Sequence, residues 1–300
     1  MRWLVAACWL SLGLTGAASF AGALWPFELI THFTPHLAVA SLLLAGAAVW
    51  SCVWTPALAA GLALALAVSG LLGVRTVPIS AHDGPGLTVL WANVWKRPLA
   101  ADQTLAFARK RGADVVIFGE SPYDSGSLAA AGGADYPYTY DLAQDIAGLP
   151  STITVLSRIE LLNPAARIPP ENDKRPMAEF GVEINGSRVA VGAVHAFKPS
   201  FPRRLRQRNA TIESATSQVN GAYLLVGDFN ATMWTPALRD SGLRRAGHPL
   251  FESTWITLWP LIGLAIDHAF VGDGLTVSQY EVGPYLGSDH RALLLRVHPR

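Results

Sequence analysis

At six places along the chain a side chain able to do chemistry stands at the end of an apolar run or in a polar pair near the C-terminus. Asn93 closes "LTVLWAN", Glu120 closes "ADVVIFGE", His195 closes "SRVAVGAVH", and Asp228 with Asn230 closes "YLLVGDFN". Two later pairs, Asp267-His268 and Asp289-His290, complete the set. Each has an ordinary explanation when taken alone: Asn and Asp form turns, a glutamate before Ser-Pro caps a helix or faces water, and a histidine can be satisfied in a core. Together they form a pattern, because the ends of buried strands are where α/β folds build sites. Carboxylates, amides and imidazoles without thiolates suit a hard divalent cation, Mg²⁺ or Mn²⁺, better than structural zinc. Such an ion keeps waters and borrows ligands from substrate phosphate. The chemistry implied is hydrolysis of a phosphate ester, with the cation as Lewis acid.

The elements that must position these groups follow from periodicity. Leu87–Val94 alternates and is β-rich, so it reads as a strand ending at Asn93; Leu99–Gly112 has helical spacing with glycine as its stop. Further strands are expected in "ADVVIFGES", "STITVLSRI", "MAEFGVEING", "SRVAVGAVHAF", "AYLLVGDFN", "AIDHAFVGDG" and "SDHRALLLRV", with a helix near Arg203–Val219. Asn185-Gly186 between two of them is a hairpin signal. Strands outnumber helices, and hairpins mix with strand–helix–strand units. The expectation is an α/β domain built as a two-sheet, four-layer sandwich over residues 87–300, and not an all-parallel Rossmann sheet. No glycine-rich phosphate loop or dinucleotide fingerprint is present.

Polarity is unevenly spread. Between Trp3 and Val74 the only ionisable side chains besides two cysteines are Glu28, His32 and His36. Three apolar runs, Trp3–Leu24, Leu37–Trp54 and Ala57–Val74, each approach the roughly 20 residues needed to cross a ~30 Å hydrocarbon core. Trp3, Trp25, Trp50 and Trp54 lie near their ends, where indoles favour the interface. Residues 1–74 therefore read as a membrane segment of about three helices, with a tight hairpin at Thr55-Pro56, and Arg75–Gly86 as a Pro/Gly-rich linker. Arg2 ahead of the first run and the absence of Lys or Arg from the following loops favour a cytoplasmic N-terminus, which after three crossings leaves the catalytic domain outside; Arg75 argues mildly the other way. Both cysteines, Cys8 and Cys52, lie in the apolar runs, so the polar domain is thiol-free, as suits an oxidising compartment. A formal net charge of +1 disfavours a general nucleic-acid coat.

The segments "WANVW", "ADVVIFGES", "TVLSRI", "VHAF", "LLVGDFNA", "IDHAFV" and "GSDHRALLL" resemble, in this order, the endonuclease/exonuclease/phosphatase superfamily. The resemblance spans about Leu87–Val297. It implies Glu120 as principal metal ligand, with Asn93 beside it and Asp289 as a second carboxylate near the metal. It implies that Asp228 orients and deprotonates the attacking water while Asn230 holds a phosphate oxygen. His290 would contact the phosphate, Asp267 would fix the His290 tautomer, and His195 would donate to another phosphate oxygen. The pattern departs in two places: no acid precedes Ser157-Arg158 to partner His195, and His268 stands where nuclease members carry tyrosine. His268 is expected in the core or behind the site.

The substrate is less closely defined. The basic run Lys198–Arg208 could overhang the site and meet anionic lipid headgroups or a polyanionic substrate, and Trp234, Trp255 and Trp259 could form an apolar rim. An apolar multi-helix start followed by this domain is similar to a membrane-anchored bacterial subgroup acting on lipid-linked envelope intermediates. That similarity implies a multi-pass protein of the bacterial cell membrane, with its catalytic domain outside and a phosphate mono- or diester as substrate. A membrane-anchored nuclease and a non-catalytic receptor on the same scaffold are the alternatives.

Overall fold

The computed structural model describes residues 1–21, 23–142, 153–169, 175–248, 250, 252–255 and 263–300. By internal contacts the chain forms two compact units. The first comprises Met1–Val74 with Pro199–Pro202 and Ala231–Gly242; the second comprises Arg75–Lys198, Arg203–Asn230 and Leu243–Arg300.

The first unit is helical: α1 (Arg2–Ala21), α2 (Glu28–Thr31), α3 (Thr34–Trp50) and α4 (Trp54–Leu72). Small residues face inward and large ones outward. Ala57, Ala60, Ala63 and Ala67 of α4 are buried, whereas Leu42, Leu43, Leu58, Leu62, Trp50 and Trp54 are exposed. Ser11 of α1 and Ser41 of α3 share a hydrogen bond of 2.7 Å. Helices α1 and α4 are long and apolar enough to cross a membrane; α3 has 17 residues. The expected hairpin at Thr55-Pro56 lies three residues earlier, at Ser51–Val53, where Cys52 has φ +58°. Pro56 instead sits in the first turn of α4, where its missing N–H costs nothing.

In the second unit β1 (Thr76–Val77), β2 (Leu87–Asn93), α5 (Pro98–Arg111), β3 (Val115–Gly119), α6 (Ser125–Gly132), β4 (Tyr138–Asp141) and β5 (Ile153–Ser157) come first. Then follow β6 (Leu162–Arg167), β7 (Met177–Ile184), β8 (Ser187–His195), α7 (Pro202–Thr216) and β9 (Tyr223–Asp228). After α8 (Pro236–Arg239) of the first unit come β10 (Arg245–Ala246), β11 (Asp267–Val271), β12 (Leu275–Val282) and β13 (Leu293–Pro299). A seven-stranded sheet has the order β1-β10-β11-β9-β8-β7-β6, and a six-stranded sheet the order β12-β13-β2-β3-β5-β4.

The two sheets pack face to face. Val89, Trp91, Ile117 and Val155 of the smaller sheet share one core with Val182, Val191, Leu224, Val226 and Ala269 of the larger. On the other face of the smaller sheet, Leu90, Phe118 and Leu294 meet Leu105 and Ala108 of α5 and Leu128 of α6. Strand alternation produces this division, because successive side chains of β2 point to opposite faces. Helix α7 connects the parallel neighbours β8 and β9, so it must cover a face of the larger sheet, and the inner face is already taken by the smaller one. The result is an α/β sandwich of two mixed sheets flanked by helices.

The Asn185-Gly186 turn joins β7 to β8 with φ of +49° and +78°, as a two-residue hairpin requires. The stretch expected as a linker is bound to both sheets. Thr76 and Val77 pair with β10, Ser80 N–H donates to the Val277 carbonyl of β12, and the His82 ring stacks on His298 at 4.2 Å.

Candidate active site

Register brings the polar strand ends together. Parallel β2 and β3 place Asn93 opposite Gly119, so Glu120 emerges beside Asn93; its backbone turns sharply there, with φ +49°. In the other sheet, parallel β8 and β9 place His195 opposite Asp228, and antiparallel β11 starts with Asp267 opposite Asp228. Gly227 is required just before Asp228: at φ +156°, a Cβ there would lie 2.2 Å from the Val194 carbonyl oxygen of β8.

One hydrogen-bonded chain crosses between the sheets. Asn93 Nδ2 donates to Asp228 Oδ2 at 3.1 Å and reaches Glu120 Oε1 at 3.4 Å. The Asn93 carbonyl end accepts from Trp95 N–H at 3.0 Å, so the amide meets the carboxylates as a donor and does not offer them its oxygen. Asp228 Oδ1 accepts the Asn230 backbone N–H at 2.8 Å. The Asn230 amide donates to Asp228 Oδ2 and to the Ala196 carbonyl, and Arg208 Nη1 holds the Asn230 carbonyl at 3.2 Å. His290 Nδ1 meets Asp267 Oδ2 at 2.8 Å, while Asp267 Oδ1 accepts from Trp91 Nε1 at 2.9 Å. With Nδ1 so engaged, His290 Nε2 faces Asp228 Oδ2 at 3.8 Å. Ser288 donates to the Asn93 carbonyl at 2.7 Å, tying the Asp289-His290 loop to the end of β2.

Seven of the eight expected residues, Asn93, Glu120, His195, Asp228, Asn230, Asp267 and His290, join in these contacts. The eighth, Asp289, is half-buried at the margin, where Trp255 Nε1 donates to its Oδ2 at 3.2 Å. His268 is fully buried behind the site, accepting from Arg245 Nε at 2.8 Å and packed beside Phe229 and Phe270. Of the three tryptophans expected at a rim, Trp234 is buried within the helical unit, Trp255 braces Asp289, and Trp259 lies outside the described residues. The basic run contributes Lys198, over the Trp255 ring at 5.2 Å, and the fully buried Arg208.

Electrostatics separates the acids. A hydrogen bond from His195, against the opposing cost of burial, holds Glu120 down to about 2. Asp228 shifts upward, because burial and the neighbouring Asp267 outweigh the pull of His290 and His195. Burial disfavours a charged His290, but the Asp267 and Asp228 carboxylates overcome it and raise the imidazole to about 10. His290 is therefore an imidazolium at neutral pH.

The donor set fits a hard divalent cation. Glu120 is ionised, and buried Asp228 and Asp267 oppose each other across the ladder with one imidazolium between them. Ligand atoms of Asp228, Asp267 and His290 lie within 4.8 Å of one another. With His290 charged and so without a lone pair to give, the carboxylate oxygens are the donors such an ion prefers, and a cation would relieve the repulsion.

Three neighbours were not anticipated. Thr254 Oγ1 accepts the Asp267 N–H at 3.0 Å, Trp91 anchors the Asp267 carboxylate, and Arg175 places Nη1 2.5 Å from His195 Nε2. Trp91 had the signal of an indole two positions ahead of a polar strand end. Arg175, in the polar stretch "ENDKRP", had none.

Two mixed sheets flanked by helices, with a polar cluster at one end, define a class of α/β sandwiches. Residues 90–290 match the endonuclease/exonuclease/phosphatase family, and the chain belongs to it. This family includes phosphodiesterases, sphingomyelinases, nucleases and phosphatases. Among solved structures, the chain is similar to an endonuclease/exonuclease/phosphatase from Beutenbergia cavernae DSM 12333, at 18% identity, 72% coverage of each chain and a TM-score of 0.57. It is also similar to sphingomyelinase C from Streptomyces griseocarneus, at 18% identity over 71% of this chain and 99% of that one, with a TM-score of 0.51. A variant of beta toxin from Staphylococcus aureus with bound magnesium ions matches at 16% identity over 72% of this chain and all of that one, with a TM-score of 0.51. At these identities the likeness establishes the fold. No protein of curated function matches the sequence significantly.

Proposed function

We propose that the chain is a divalent-metal-dependent phosphoester hydrolase anchored in a membrane by residues 1–74 and acting on a lipid-linked or envelope-derived phosphate through residues 87–300. The observation that carries the reading is the unbroken series Glu120–Asn93–Asp228–His290–Asp267, which links the two sheets at one end. Asp228 is the base that takes a proton from water: its upward shift strengthens it, and the Asn230 N–H on Oδ1 fixes the direction of its lone pairs. His290, held charged by Asp267, presents Nε2–H to the oxygen on which negative charge builds during in-line attack. Asn230 and His195 supply further donors. Glu120, with Asp289 and Asn93, would hold Mg²⁺ or Mn²⁺, for which Asn93 must turn its oxygen inward. Bound there, the ion would act as Lewis acid and clamp the phosphate charge.

The membrane assignment is supported by apolar helices that turn large side chains outward and small ones inward. The charge asymmetry around α1 favours an N-terminus inside a bacterial cell membrane and a catalytic domain outside. Purified protein in detergent is to be assayed with Mg²⁺ or with chelator against a lipid phosphate panel and against DNA. Metal-dependent release from the lipids, reduced about 1,000-fold or more by Asp228→Asn, is the expected result. Activity on DNA alone would replace the lipid substrate with a nucleic acid, and full activity in Asp228→Asn would remove the mechanism.

A further inference from the structure

Arg175, on the approach to β7, belongs to none of the expected roles, yet it lies against the site. Its Nη1 is 2.5 Å from His195 Nε2 and 3.2 Å from the Ala196 carbonyl, and its guanidinium lies over the Phe197 ring at 4.8 Å. His195 Nε2 also faces Glu120 Oε1 at 3.3 Å and Asp228 Oδ2 at 3.7 Å.

No tautomer of His195 satisfies these surroundings. If Nε2 carries the proton, it suits the two carboxylates but opposes the Arg175 N–H, donor to donor. If Nε2 accepts from Arg175, the proton moves to Nδ1, which is buried and has no hydrogen-bond partner among the described residues. A buried N–H without an acceptor is costly. The conflict disappears if an anionic oxygen takes bonds from both Nη1–H and Nε2–H. Two donors converging on one point, beside a water-activating carboxylate, are an anion cradle awaiting its acceptor.

We propose that Arg175 and His195 form a subsite for the extra non-bridging oxygen of a phosphate monoester dianion, so that the protein favours terminal phosphomonoesters over diesters. The inference rests on the phosphoesterase reading above and narrows its substrate class. A monoester presents three non-bridging oxygens and close to two negative charges at neutral pH, whereas a diester presents two and one. The His290 donor and a divalent cation already serve a diester; the third oxygen is what requires a further cation. Arginine suits the position because it stays charged and offers a planar fork of donors.

The full-length protein with Mg²⁺ is to be compared with Arg175→Met and Arg175→Lys on 4-nitrophenyl phosphate and bis(4-nitrophenyl) phosphate. Binding of inorganic phosphate is measured by calorimetry on the same samples. Wild type should prefer the monoester. Arg175→Met should lower monoester kcat/KM on the order of 100-fold while changing the diester less than about threefold, and weaken phosphate binding about tenfold. Arg175→Lys should recover part of both. Equal losses on the two esters, or no loss on either, would overturn the subsite. If wild type cleaves neither ester, the hydrolase reading fails on its own, and the calorimetry still decides: phosphate bound equally well by Arg175→Met refutes the subsite, and phosphate lost with the guanidinium supports it. Arg175 is half-exposed, so the variants are expected to fold, which unchanged thermal unfolding would verify.

Discussion

At the scale of single residues, the Asp267–His290 pair makes the sharpest claim. A histidine raised to about 10 stabilises the folded chain fully below its ordinary value near 6.5, and that contribution is lost as pH climbs through about 10. Asp267→Asn removes the closest counter-charge. His290 should then titrate much nearer the ordinary range in NMR, the loss of thermal stability between neutral pH and pH 10 should flatten, and phosphoester turnover should drop about 100-fold. A His290 titration unchanged by the substitution would show that the charge is set elsewhere. The residues in this pair were legible because each closes or adjoins a short apolar run, so position and chemistry coincide. Arg175 was not, since nothing in a Pro-flanked polar stretch says which wall of the fold it will reach. Nor could the sequence show that Asn93 would face the carboxylates with its nitrogen, an orientation set by the Trp95 N–H.

Strands and turns carry a second kind of claim. Gly227 is the one residue of "GDFN" whose reason is purely steric, for the atom its Cβ would strike is a backbone carbonyl of the paired strand and cannot rotate aside. Gly227→Ala should destabilise the protein by about 2 kcal/mol or more in denaturant unfolding and displace Asp228. Gly126→Ala in α6, where among the described residues a Cβ meets only Asp124 Oδ1 at 3.8 Å, should be tolerated. Equal stability of the two variants would contradict the steric account. Most strands were readable from alternation: β2 was expected over Leu87–Val94 and runs Leu87–Asn93. The eight-residue α6 escaped notice, being too short for a periodic signal; its mark was the Asp124/Ser127 capping box. The adhesion of Arg75–Gly86 to both sheets was also hidden, because a Pro/Gly-rich stretch looks alike whether it hangs free or lies on a surface.

For the whole molecule, the arrangement of α1, α3 and α4 reverses that of a soluble bundle. Leucines and tryptophans outside and alanines within suit a hydrocarbon surround, where close backbone approach replaces hydrophobic burial. The protein should therefore stay in the pellet when membranes are washed with alkaline carbonate, and a chain starting at Arg75 should not; release of the full chain would contradict the anchor. The cross-strand register has a consequence of another sort. His195, Asp228 and Asp267 occupy matched rungs of three neighbouring strands, and Ser288 fastens Asn93 across 195 positions of chain. No local fragment can assemble the whole of this centre, so during renaturation the slow closure of distant segments comes first and the earliest turnover last.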